Sequence, residues 1–161
     1  MGYPDDYIAA KDIDWFCVIN GYYVYVASAG GALPEAINDR DKLRTLQRNV
    51  FMAPDKFADE DIDVNMQFLN ARFGNQPNAQ QQISNYLVSF KAMARKGFIF
   101  FDRTNLSDSQ DNAYYVVCEP RNPIQIQGIA DLVRCKIEDQ ELLTISSTKI
   151  QLLEILSHHQ L

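Results

Sequence analysis

The stretch from Asn78 to Asp102 constrains the fold more than any other part of this chain. Ile83, Tyr86, Leu87, Phe90, Met93 and Ala94 recur at helical spacing, which predicts an amphipathic helix. Asn78 is a favourable N-cap residue, and Gln81, three positions on, can complete a capping box. Lys91, Arg95 and Lys96 place positive charge in the last turns, where the helix dipole is negative, and Gly97 can take a left-handed backbone without a Cβ clash. The apolar run Phe98-Ile99-Phe100-Phe101 follows at once. A strand covered on one side alternates apolar with polar residues, so this uninterrupted run predicts a central strand covered on both faces.

A second local signal lies near the N-terminus. Trp15 to Ile19 and Tyr22 to Val26 flank Asn20-Gly21, the favoured pair for a two-residue type I′ hairpin. That loop length sets Trp15 opposite Val26, Cys17 opposite Val24 and Ile19 opposite Tyr22, all on one side of the sheet. Phe16, Val18, Tyr23 and Tyr25 then share the other side. Tyrosine hydroxyls want water or a partner, so Phe16, Tyr23 and Tyr25 are candidates for an open aromatic binding face, against the plainer reading of an aromatic face packed under a helix.

Pro4, Asp5 and Asp6 suit the first turn of a short helix through about Lys11. The small-residue run Ala27 to Ala32 fits a flexible exit from the hairpin better than an anion cradle, because no P-loop or dinucleotide-binding pattern accompanies its glycines. A helix is expected from Asp39 to Met52, capped by Asn38, with Leu43, Leu46 and Val50 on its inner face. Asp59, Glu60, Asp61 and Asp63 lack the spacing and glycine of an EF-hand; they read as the start of a helix carrying Ile62, Met66, Leu69 and Phe73. Residues 103 to 112 form a polar loop, after which Tyr114 to Cys118 is expected to pair antiparallel with the strand at 98 to 102. Residues 126 to 131 lean towards a helical turn and 132 to 137 towards a strand, with Glu141 to Ile145 as its hairpin partner. Thr148 and Gln151 form a capping box for a final helix.

These elements predict a single α+β domain over residues 1–161. Its sheet would be predominantly antiparallel and hairpin-built, with about four to six strands, and about four or five helices would pack mainly on one face. Hydrophobic residues make up 47% of the 161 residues and charged residues 22%, which separates the chain from disordered sequences. The net charge of −6 argues against generic nucleic-acid binding, which draws on Lys and Arg. Arg40, Lys42, Arg44 and Arg48 are interrupted by Asp41 and read as a solvated helix face. Cys17, Cys118 and Cys135 form no paired motif, no apolar stretch reaches membrane-spanning length, and the N-terminus lacks signal-peptide character. A cytoplasmic protein is therefore expected, with no membrane association.

No catalytic, metal or cofactor signature stands out, so no metal and no cofactor are expected. The two histidines, His158 and His159, are neighbours and lack the spacing of a zinc helix. The leading reading is a non-enzymatic protein-interaction or regulatory module that binds a protein partner or self-associates. The alternative is a small-molecule-binding or hydrolase-like enzyme with a site at the strand end and loop over 102–114. There Asp102, Arg103, Asp108 and Tyr114 would bring acid, base and anion-holding groups to one edge.

Overall fold

The apolar run after Gly97 lies in the middle of a sheet, with Phe98 to Arg103 buried along the whole length. The computed structural model describes residues 1–19, 22–31, 33, 38–103, 106–107, 113–123, 143–144 and 151–152. In chain order the elements are α1 (Asp5–Ala10), β1 (Asp14–Ile19), β2 (Tyr22–Ala27), α2 (Arg40–Met52), β3 (Ile62–Val64), α3 (Met66–Phe73), α4 (Ala79–Arg95), β4 (Ile99–Arg103) and β5 (Ala113–Pro120). Two-residue segments, β6 (Leu143–Thr144) and β7 (Gln151–Leu152), pair with β5 and β1. The principal strands run in the order β3-β5-β4-β2-β1. This is an α+β fold with a mostly antiparallel sheet.

The β1–β2 register is the one expected, from Trp15 opposite Val26 to Ile19 opposite Tyr22; Asn20 and Gly21 lie outside the described residues. β4 and β5 are antiparallel, as expected. The two antiparallel pairs are joined by a parallel pairing that local pattern does not announce: Val24, Tyr25, Val26 and Ala27 of β2 lie beside Ile99, Phe100, Phe101 and Asp102 of β4. A parallel pair needs a crossover rather than a tight turn, and the helices between Ser28 and Phe98 provide it. Trp15, Val24, Val26, Ile99 and Phe101 share one face, and Phe16, Tyr25, Phe100 and Asp102 share the other.

α4 ends as its sequence predicts. Gly97 has φ 106°, its N–H donates to the Ala94 carbonyl at 2.9 Å, and the Phe98 N–H donates to the Met93 carbonyl at 3.3 Å, a Schellman closure. The predicted capping box at the other end does not form. Asn78 sits at φ 60° without a side-chain cap, and the Gln81 amide donates instead to Asn85 Oδ1 at 2.9 Å. In α2 the cap is Asp39, one residue later than expected; Asn38 is held by the N-terminal arm, accepting from the Tyr3 N–H at 2.7 Å. α2 packs against β1, and Gln47 Nε2 donates to the Asp14 carbonyl at 2.8 Å.

The helix expected from about Asp59 to Phe73 is divided. Asp59–Asp61 form one 3-10 turn, Ile62–Val64 become the edge strand β3, and α3 starts only at Met66. Asn65 makes the division: Oδ1 accepts from the Phe68 N–H at 3.1 Å, capping α3, while Nδ2 donates to the Val116 carbonyl at 2.8 Å, tying the cap to β5. Helical spacing of Ile62 with the later apolar residues conceals this, because a side chain bonding to a distant strand leaves no periodic trace. Residues 126 to 137 lie outside the described residues. Leu143–Thr144 pairs with β5, and Gln151–Leu152 pairs with β1 where a helix was expected.

The small-residue run is a tight turn. Ala29 and Gly30 both have positive φ, at 46° and 78°, and the Gly31 N–H closes the turn on the Ser28 carbonyl at 2.8 Å. A Cβ on Gly30 would lie 2.9 Å from the Ala9 carbonyl oxygen, and one on Gly31 would lie 2.8 Å from Arg103 Cδ. Gly30→Ala therefore combines left-handed strain with a backbone clash and should cost about 2 kcal/mol in urea unfolding. Asn65→Ala removes a cap and strands the buried Val116 carbonyl, for a loss of about 2–3 kcal/mol by the same measurement.

Candidate functional site

Asp102 was expected at an exposed strand end, yet its residue is only 5% exposed. It points towards α3 and α4, which cover this face through Phe68 against Tyr115 and Phe90 stacked on Phe100 at 3.9 Å. Arg72 of α3 donates through Nη1 to Asp102 Oδ2 at 2.5 Å, and the Tyr86 hydroxyl of α4 donates to the same oxygen. Arg72 Nη1 also reaches Tyr86 Oη at 3.0 Å, and its Nη2 donates to the Arg103 carbonyl at 2.7 Å. The Arg103 N–H donates to Asp102 Oδ1 at 2.7 Å. Phe68 stacks under the guanidinium, 4.7 Å from ring centroid to Cζ. Both carboxylate oxygens thus serve internal bonds, as burial of a charge requires. Burial foremost, and then Asp102, push the Tyr86 phenol above its usual range, so it stays a proton donor.

Arg103 leaves the strand on the opposite face, since successive strand residues alternate. Its Nη1 donates to the Ala29 carbonyl at 2.9 Å and to that of Ser28 at 3.5 Å, with the aliphatic stem crossing Gly31. The glycine turn that resembled an anion cradle therefore presents carbonyls to a guanidinium. Tyr114, opposite Arg103 in the β4–β5 register, is fully buried and meets Trp15 edge-on at 6.5 Å. Asp102 and Arg103 thus do not converge, and Asp108 lies outside the described residues. β4 runs through Arg103 and β5 begins at Ala113, so Asp102, Arg103 and Tyr114 lie within strands rather than in the loop. The residues that do gather at Asp102 are Arg72 and Tyr86, which the sequence reading missed. Arg72 showed no local signal.

A second carboxylate lies in line with the first. Asp14 pairs with Ala27 across β1–β2, and Ala27 pairs with Asp102 across β2–β4, so the small Ala27 separates two acids on one face. Asp14 is hydrogen-bonded by the Tyr25 hydroxyl, and its carboxyl is pushed up to about 6, by burial first and then by the negative charge of Asp12 and Asp102. Asp12 itself accepts from the Ala29 N–H at 2.7 Å.

The aromatic face is not open. Phe16 is 1% exposed and Tyr25 7%, while Tyr23 is half-buried against Phe98. The reason is the parallel neighbour: Phe98 and Phe100 of the β4 segment pack against Phe16 and Tyr25, and Phe90 of α4 closes over Phe100. Tyr25 and Phe16 are core residues. Cys118 is also buried, its thiol pushed up to about 12 by burial, which leaves it unreactive. Of the acidic group, Asp59 pairs with Lys91 at 3.1 Å and Arg95 at 2.9 Å, and Asp63 pairs with Arg121 at 3.2 Å. His158 and His159 lie outside the described residues.

The outward face of α4 borders a cavity. A groove of about 320 Å³ is lined by Ser84, Leu87, Val88, Lys91, Arg95 and Asp59. Val88 is 67% exposed, and the exposed positions preceding it, Gln80, Gln81, Ser84 and Asn85, are uncharged. No Asp, Glu, Lys or Arg occurs between Arg72 and Lys91. Two signals in the sequence mark this face: Val88 falls outside the apolar stripe of its helix, and the helix carries no charge before Lys91. Among the described residues no helix is long and apolar enough to cross a membrane.

The Asp14 carboxyl makes stability depend on pH. Its folded pKa of about 6 lies above the ordinary 3.8, so the folded state binds the proton more tightly than the unfolded chain. Stability is then greatest below pH 4 as far as this group is concerned, and falls as pH rises through 6, by at most about 3 kcal/mol. Asp14→Asn should flatten this slope in denaturant titrations between pH 4 and 7 and raise stability at pH 7.5. An unchanged slope in the variant would assign the effect to another group.

Comparison with family models, curated proteins and solved structures returns no match, so the side-chain chemistry of the fold itself carries the functional reading.

Proposed function

We propose that the chain is a non-enzymatic, cytoplasmic protein-interaction module that docks through the outward face of α4. The observation that carries this reading is Val88, two-thirds exposed beside a groove on a helix that carries no charge before Lys91. Interface centres are depleted of charged residues, and an aliphatic side chain moved from water into such a centre contributes roughly 1.5–2 kcal/mol. Asp102 and Arg103 make hydrogen bonds into the fold on opposite faces of β4, which supports the interaction reading over the hydrolase-like alternative. The ion pairs of Asp59 with Lys91 and Arg95 form a polar rim at one end of the groove.

With the photo-crosslinking residue benzoylphenylalanine in place of Ser84, irradiation in the source cell extract should give a discrete adduct. The same residue in place of Arg48, exposed on α2, should give none. Val88→Arg in the same chain should reduce the Ser84 adduct at least tenfold while changing stability by less than about 0.5 kcal/mol, because position 88 is exposed. Equal adducts from Ser84 and Arg48, or a Ser84 adduct indifferent to Val88→Arg, would count against this face.

A further inference from the structure

We infer that the groove beside Val88 takes a segment of a partner protein in which an aspartate or glutamate stands one helical turn from an aliphatic side chain, and that Asp59 holds the place of that carboxylate until the partner binds. The inference rests on the docking face proposed above and names the chemistry of its partner. Three charged groups line the groove, two cationic and one acidic. Lys91 and Arg95 are one turn apart on α4, and a single carboxylate serves both: Asp59 accepts from Lys91 Nζ at 3.1 Å on Oδ2 and from Arg95 Nη1 at 2.9 Å on Oδ1. Asp59 reaches in from outside the helix, from the 3-10 turn Asp59–Asp61. Its side chain is 56% exposed, against 28% for Lys91 and 30% for Arg95. The cations are thus the better-held part of the cluster, and the carboxylate is the part that water already reaches.

Arg95 has a second hold. Its Nε donates to Asp55 Oδ2 at 3.1 Å, so the guanidinium keeps its place when Nη1 changes partner. Among the described residues Asp59 is the only acid within ion-pair reach of Lys91. Exposed ion pairs contribute little, so exchanging Asp59 for another carboxylate costs little. What the exchange adds is apolar contact, because Leu87 and Val88 line the same groove. Val88 lies about 5 Å along the helix axis from Lys91 and about 10 Å from Arg95. In a partner helix, side chains one turn apart are separated by about 5–6 Å, so an aliphatic residue laid against Val88 brings an acid one turn away to Lys91. A cationic partner would meet Lys91 and Arg95 with like charge, and an uncharged one would gain nothing from them.

Two capped alanine-based helical peptides serve as probes, one with leucine and glutamate one turn apart and one with glutamine in place of that glutamate. Titrated into the isotope-labelled full chain, the glutamate peptide should shift the backbone NMR signals from Ser84 to Arg95, with a dissociation constant on the order of 1 mM. The glutamine peptide should bind about threefold more weakly. Asp59→Asn should tighten the glutamate peptide about threefold and leave the glutamine peptide unchanged, with circular dichroism unaltered. Lys91→Gln and Arg95→Gln should each weaken the glutamate peptide towards the glutamine one. Asp59→Asn is the decisive variant, because loss of a merely structural ion pair does not tighten binding of an acid. Equal affinity for the two peptides, no shifts from either, or an Asp59→Asn chain that binds the glutamate peptide no tighter overturns the exchange. If it is overturned while the Ser84 crosslink still depends on Val88, the docking face stands with a partner of other chemistry. If that crosslink is absent as well, both fail.

Discussion

The parallel pairing of β2 with β4 is the constraint on which the rest of this fold depends. Two antiparallel pairs, β1–β2 and β4–β5, become one sheet only through it. Because a parallel neighbour cannot be reached by a tight turn, the chain between Ser28 and Phe98 has to leave the sheet and return. α2, α3 and α4 occupy that excursion, and β3 is placed at the sheet edge within it. The same pairing sets the aromatic residues of β2 beside those of β4, which is why Phe16 and Tyr25 are buried rather than displayed.

The central strand carries two charged residues at its end, and the sheet's alternation sends them to opposite faces. Each is satisfied by an element of the crossover or of the hairpin exit. Arg72 and Tyr86 bind Asp102 and so hold α3 and α4 to β4. Arg103 binds the carbonyls of the Ser28 to Gly31 turn and so holds the hairpin exit to the same strand. Removing one partner of a buried pair typically costs 3–5 kcal/mol, because the remaining charge is left in a dry site. These groups are therefore best understood as the fastening of helices and turn to the sheet. Asp14 is the exception, a carboxyl with no cation paired to it among the described residues; Asp12 and Asp102 add negative charge beside it.

With Asp102 and Arg103 engaged in fastening, functional interest moves to the surface of α4. The inner face of that helix is fixed by Phe90 on Phe100 and Tyr86 on Asp102, so its outer face is presented in a defined orientation. A firmly held helical face with an exposed aliphatic residue suits recognition of another surface. Its rim of Asp59, Lys91 and Arg95 supplies both signs of charge at one end.

What the sequence determined by itself was local and periodic. The span and stop of α4, the register of the first hairpin and the double-sided burial of β4 all follow from residue spacing within one element or across one tight turn. Val88 and the charge-free run of α4 were equally present in the sequence, as departures from the pattern of a solvated helix. Only tertiary structure decided the parallel β2–β4 pair, the conversion of Ile62–Val64 into an edge strand and the burial of Asp102 and Arg103. Those outcomes depend on contacts between residues far apart in the chain, such as Arg72 with Asp102 or Asn65 with Val116. A side chain's spacing fixes which way it points from its own element. It does not fix what that element is laid against, and it is the opposing surface that decides whether a charge becomes a site or a fastening.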